Sequence, residues 1–171
     1  MQIRTLARYA ISILALAQAA LAGPPLACKW IAVPGSLFES LDALRQRAMS
    51  ADDSLAKTQA ALATLTQLRA AMKPGDPLSL LKAGFWAETM HEIGIAPDTD
   101  GPELIMNALA LRPNDPEYAI FAALAHMQKH PALFRKQWDR ARALSTSGSA
   151  AARNLRTIET IYSGIYPELF R

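Results

Sequence analysis

The chain has 171 residues, 51% of them hydrophobic and 19% charged, with a formal charge of +3. That length holds one domain with a sizeable core, and so small a charge without a recognisable binding motif argues against nucleic acid as a partner. Cys28 is the only cysteine, which excludes an intramolecular disulfide.

Met1 to Arg8 carries Arg4 and Arg8 and no acid, and Tyr9 to Ala22 is nearly all apolar. Ala20-Leu21-Ala22 has the small-x-small form of a cleavage site, and Gly23-Pro24-Pro25 breaks any helix just after it. This is the three-part layout of a secretory signal. An uncleaved anchor is the competing reading, because Tyr9 to Cys28 is close to the length that spans a bilayer. Pro24 and Pro25 favour cleavage. With either, Arg4 and Arg8 stay on the cytoplasmic side and the remainder is exported, to the periplasm or to the periplasmic face of the inner membrane. Residues 1–22 are thus expected to be a signal peptide or anchor, 23–35 a linker, and 36–171 a helical domain. Cys28 follows the apolar run as a lipid-anchored cysteine would, but Pro25-Leu26-Ala27 is out of register for that, and a half-buried thiol is the better account.

Ser36-Leu37-Phe38-Glu39 reads as a capping box, with Leu37, Leu41, Leu44 and Ala48 on one helical face behind it. Asp52 or Asp53 caps a longer run whose expected apolar stripe is Leu55, Leu62, Leu65, Leu68 and Met72. Lys73-Pro74-Gly75 ends it. Asp76 caps the next helix, with Pro77 in the first turn, where a missing N–H is harmless. That helix runs to about Glu92, with Leu80, Leu81, Gly84, Phe85 and Ala87 inward. After a polar turn, Pro102 to Leu111 forms a shorter helix. Pro116 to Lys129 and Pro131 to Leu144 form a second pair, the latter with Phe134, Trp138, Ala141 and Leu144 along one side. Ser145 to Ser149 is a joint, and Ala150 to about Gly164 is a last helix presenting Leu155, Ile158, Tyr162 and Ile165. β-Branched residues never alternate for long, so the chain is expected to be all-α with about seven helices in this part.

Asp76-Pro77 and Asp115-Pro116 each open one of these apolar helices, a faint internal repeat joined by Ala108-Leu109-Ala110-Leu111-Arg112-Pro113-Asn114. The stretch from Asp76 to about Leu144 resembles tetratricopeptide repeats. Gly84 and Ala123 match the small residue of the first helix, Ala108 and Ala141 the alanine of the second, and Pro113 the closing proline. The chain departs from that pattern in a longer loop after Glu92, in Ser147 at the second closing position, and in His126 where an aromatic residue is usual. Ala108 to Glu117 also resembles the inter-helix wording of small VpsP-like proteins from bacterial exopolysaccharide biosynthesis loci.

The resemblance implies a TPR-like stack of antiparallel helix hairpins. Such a stack holds a peptide or partner helix in a groove made by the first helices of each pair, here along Phe85, Glu88, His91, Tyr118, Ala122 and His126. Residues 29–128 carry 8 basic and 12 acidic side chains, and residues 129–171 carry 8 and 3. Lys129, Arg135, Lys136, Arg140 and Arg142 form the basic cluster of the second hairpin, a solvated face or a patch for anionic polysaccharide. His126 and His130 are four apart, but no third ligand or HExxH context accompanies them, so no metal and no other cofactor is expected. Asp98-Thr99-Asp100-Gly101 lacks the later glutamate of a calcium loop and reads as a turn ending in a helix cap. No Ser-His-Asp arrangement, nucleotide-binding loop or paired cysteines are present. The expectation is a non-enzymatic scaffold or adaptor of the bacterial envelope with an envelope protein or peptide segment as partner. The alternative is an accessory to exopolysaccharide synthesis or export that binds anionic glycan.

Overall fold

The computed structural model describes residues 30, 33–49 and 54–171. Residues 1–22 and Cys28 lie outside the described residues, as do the expected caps Asp52 and Asp53. The described residues form seven α-helices and no strand. These are α1 Leu37–Met49, α2 Ser54–Ala70, α3 Pro77–Glu92, α4 Gly101–Leu111, α5 Pro116–His126, α6 Pro131–Leu144 and α7 Ala150–Tyr162, followed by a 3₁₀ turn at Pro167–Leu169. No helix among them is long and apolar enough to cross a membrane.

Short-range chemistry sets the starts. Asp76 accepts a hydrogen bond from Leu78 N (3.1 Å), Asp115 from Glu117 N (3.0 Å), Asp100 from Glu103 N (2.9 Å) and Ser149 from Ala152 N (3.1 Å). Each satisfies a donor that the first turn would otherwise leave without a partner. The capping box of α1 forms with a shift: Ser36 Oγ accepts from Glu39 N, but Glu39 reaches back to Gly35 N (2.9 Å). Gly35 has φ +78°, a backbone conformation that other residues rarely adopt, and Ser36 N is already engaged by Val33 O.

Helices α3 and α4 pack as one hairpin and α5 and α6 as another, with α4 lying against α5. α1 and α2 cover one side of α3, and α7 packs on α5 and α6. The central helices are enclosed. Every residue of α5 from Tyr118 to His126 is buried, and α3 is buried from Leu80 to Met90 except at Lys82. This explains why neither reads as amphipathic: a helix apolar all round is one with neighbours all round.

The structure bears on two readings of the sequence. Within the stretch expected to be a linker, Trp30 and Val33 are buried. The Trp30 ring lies 5.2 Å from Phe85 and 5.4 Å from Phe121, and Phe38 stacks on Phe121 at 3.8 Å. The apolar stripe of α2 also differs from the expected one. Leu55 and Leu62 are exposed, while Ala61 and Leu65 pack on Trp86, Ala87 and Met90 of α3. Trp86 Nε1 donates to Ala61 O (2.9 Å), so the indole needs a small residue opposite it and the leucines turn outward. Leu111 at the end of α4 and Ile165, which lies past the end of α7, are likewise exposed.

At the far end Phe134 and Trp138 stack, and Phe170 meets both edge-on. Burial, with Glu92 and Tyr166 adding to it, pushes the Tyr162 hydroxyl up to about 12.

Trp30→Ala is expected to lower the unfolding free energy by about 3–5 kcal/mol in urea titration, the usual cost of emptying a buried aromatic site. A change near zero would return Trp30 to the linker. Above pH 10 the unfolded chain loses the Tyr162 proton while the folded chain keeps it to about 12. Stability therefore falls as pH rises through that window, and Tyr162→Phe should flatten the decline.

Candidate binding cavity

The cavity is built on a glycine contact. A Cβ on Gly84 would lie 2.7 Å from Gly101 O and 2.8 Å from Ile105 Cγ1. One on Gly101 would lie 2.8 Å from both Gly84 O and Glu88 Cγ. The first turn of α4 is therefore seated directly on α3, between Gly84 and Glu88. The loop leading to it turns at Gly94 (φ +81°) and is tied to α2 where Arg69 Nη1 donates to Asp98 Oδ1 (2.7 Å). That hydrogen bond and the Arg69 charge hold the Asp98 carboxyl below its usual range.

This placement opens a cavity of about 660 Å³ between the end of α3, the start of α4 and the α5–α6 turn. Glu88 and His91 come from α3, Asp100, Glu103 and Met106 from α4 and its cap, and His126, Lys129, His130 and Leu133 from the second hairpin. Pro97 and Pro102 complete an apolar rim. Glu88 and His126 are buried, and His91, Lys129 and His130 are exposed. All three histidines of the chain line this one cavity. His126 and His130 meet edge to face, with ring centroids 5.6 Å apart. Among the described residues no three His, Cys, Asp or Glu side chains are arranged to share a metal ion. The cavity instead offers acidic and imidazole groups above an apolar wall, a lining suited to an amphipathic ligand.

Of the six groove residues expected from the sequence, Glu88, His91 and His126 come together here. Phe85 and Ala122 lie in the core, 1% and 0% exposed, and Trp30 of this chain packs on the Phe85 ring. Tyr118 sits at the opposite end of its helix, in a separate cavity of about 650 Å³. Sequence reasoning missed the apolar lining, Pro97, Pro102, Met106 and Leu133. The prolines that start α4 and precede its cap were the available signal, and they were read only as punctuation.

Three of the five basic residues are engaged within the chain. Arg135 Nη2 donates to Glu168 O (2.6 Å), Arg140 Nη2 to Pro113 O (2.6 Å), and Arg142 pairs with Glu159. Each guanidinium thus tethers α6 to a different element. Lys136 is exposed, and Lys129 faces the cavity. Comparison with known proteins finds no matching family model, no matching curated protein and no matching solved structure.

Gly84→Ala is expected to lower stability by about 1–3 kcal/mol, because the added methyl meets backbone and α4 must shift. The same substitution should move the imidazole NMR signals of His91 and His126. A stable variant with unmoved histidines would mean that the crossing does not set the cavity.

Proposed function

We propose that this protein is an exported, non-enzymatic adaptor with a TPR-like stack of helix hairpins, holding a segment of an envelope partner in the α3–α4–α5 cavity. The observation that carries this reading is the convergence of Glu88, His91 and His126 with Met106 and Leu133. Residues from two successive hairpins build one recess that neither hairpin forms alone. An apolar wall with a few polar groups is what a peptide segment needs for affinity and register. The order of small residues, Gly84 and Ala108 in the first hairpin and Ala123 and Ala141 in the second, supports the repeat reading, and all of them lie in the interior. The Arg4, Arg8 and apolar Tyr9–Ala22 pattern supports export, to the periplasm or its inner-membrane face.

The second reading, an exopolysaccharide accessory that binds anionic glycan through the basic hairpin, draws less support. Three of its five cations already serve acceptors within the chain.

The test is affinity capture from crosslinked envelope fractions, comparing the natural chain with Leu133→Glu and His91→Ala. Both side chains are exposed, so the fold should survive. The expected outcome is one defined envelope protein recovered with the natural chain and reduced about tenfold with Leu133→Glu, the effect of a charge in an apolar contact. Equal recovery with all three chains would overturn the assignment of the cavity.

A further inference from the structure

The helices α1, α3, α5 and α7 all begin at one end of the molecule, where Leu37, Pro77, Pro116 and Ala150 line a second cavity of about 650 Å³. The two Asp-Pro pairs of the sequence repeat sit side by side in it. Converging helix N-termini ordinarily make an anion site. Here this chain supplies the acceptors itself. Asp76 Oδ1 takes Leu78 N, Asp115 Oδ1 takes Glu117 N, Ser149 Oγ takes Ala152 N, and Glu117 Oε2 takes Leu37 N across 80 residues of sequence. Each of the three carboxylates uses one oxygen in this way and keeps a second.

Among them lies Tyr118, a side chain 94% buried from solvent whose hydroxyl has no hydrogen-bond partner among the described residues. Burial, above all, raises its phenol, and the charges of Asp115, Arg112, Asp76 and Glu117, all of which line the same cavity, act on it as well. Three carboxylates face a single cation, the exposed Arg112. We propose that this end cavity binds an organic cation, a guanidinium or ammonium group, between the spare carboxylate oxygens of Asp76, Asp115 and Glu117 and the Tyr118 hydroxyl. The cavity is large enough for a whole arginine side chain. The planar N–H fork of a guanidinium suits several acceptors held at fixed positions.

The site is separate from the histidine-lined cavity and does not depend on the adaptor reading. Burial raises the Glu117 carboxyl, the Leu37 N–H opposes that, and Asp115 raises it further. A bound cation offsets the Asp115 repulsion, so binding releases protons from Glu117 and strengthens as pH rises out of the acid range.

The experiment is a ¹H–¹⁵N NMR titration of the full chain with N-acetyl-arginine amide, with putrescine and sodium phosphate as parallel probes. The amides of Leu37, Leu78, Glu117 and Ala150 should shift with the arginine probe at low millimolar concentration, the range of a single charged contact. Glu117→Gln risks loosening the start of α1, so two milder variants carry the test. Tyr118→Phe should weaken arginine binding about three- to tenfold. Arg112→Gln should tighten it about fivefold by removing the one repelling charge. Putrescine binding more tightly than the arginine probe, with the same response to both variants, would support the cation site and assign it to a free amine. Shifts with phosphate and none with either cation would overturn the proposal. So would silence toward all three probes, or cation affinity unchanged in both variants.

Discussion

The contact between Gly84 and Gly101 is the constraint on which the rest of the structure turns. Helix backbones approach this closely only where neither residue carries a Cβ, since an added methyl at either position would lie under 3 Å from a backbone oxygen. Seating α4 there makes the loop from Ile93 to Asp100 fold back along α3, and Arg69 holds it through Asp98. The same placement brings the first turn of α4 against Glu88 and leaves the recess in which all three histidines gather. The hairpin's close packing and the cavity beside it thus share one contact.

A second organising feature is that the chain covers its own aromatic face. Phe85 of α3 and Phe121 of α5 would form an apolar surface across the two hairpins. Trp30 and Phe38 close it, held by Ser36 to Val33 O, by Glu117 to Leu37 N and by Arg153 Nη2 to Pro34 O (3.0 Å). The last two of these tethers come from α5 and α7, remote in sequence. Two recesses lie at the ends of α5, with His126 at one and Glu117 and Tyr118 at the other.

The arginines of the second hairpin show how charge is spent inside the molecule. Arg135, Arg140 and Arg142 leave one short helix for the C-terminal turn, the α4–α5 loop and α7. Exposed pairs of this kind contribute little individually, but they orient α6 between three neighbours. A run of like charge that looks like a binding patch in the sequence is thus largely a set of internal ties.

Much of the architecture was legible in the sequence because helix boundaries are written in local chemistry. Asp76, Asp100, Asp115 and Ser149 cap helices through bonds to residues two or three positions away, and prolines mark first turns, so the helices and most of their starts follow from spacing, whereas the ends at His126 and Tyr162 fall two or three residues short of those expected. Gly84 was recognisable as a crossing point. What only the tertiary structure decided is which apolar residues face inward and which side chains meet. Leu55 and Leu62 turn outward while Leu65, as expected, stays in the core and is joined there by Ala61, whose carbonyl takes the indole N–H of Trp86 on another helix. Phe85 is withdrawn from the surface where Trp30, some fifty residues before it in the stretch expected to be a linker, folds over its ring, and Ala122 is buried as well. Periodicity reports a helix and its moment. It carries no information on the neighbour, and α3 and α5, buried over most of their length, offered little moment to read.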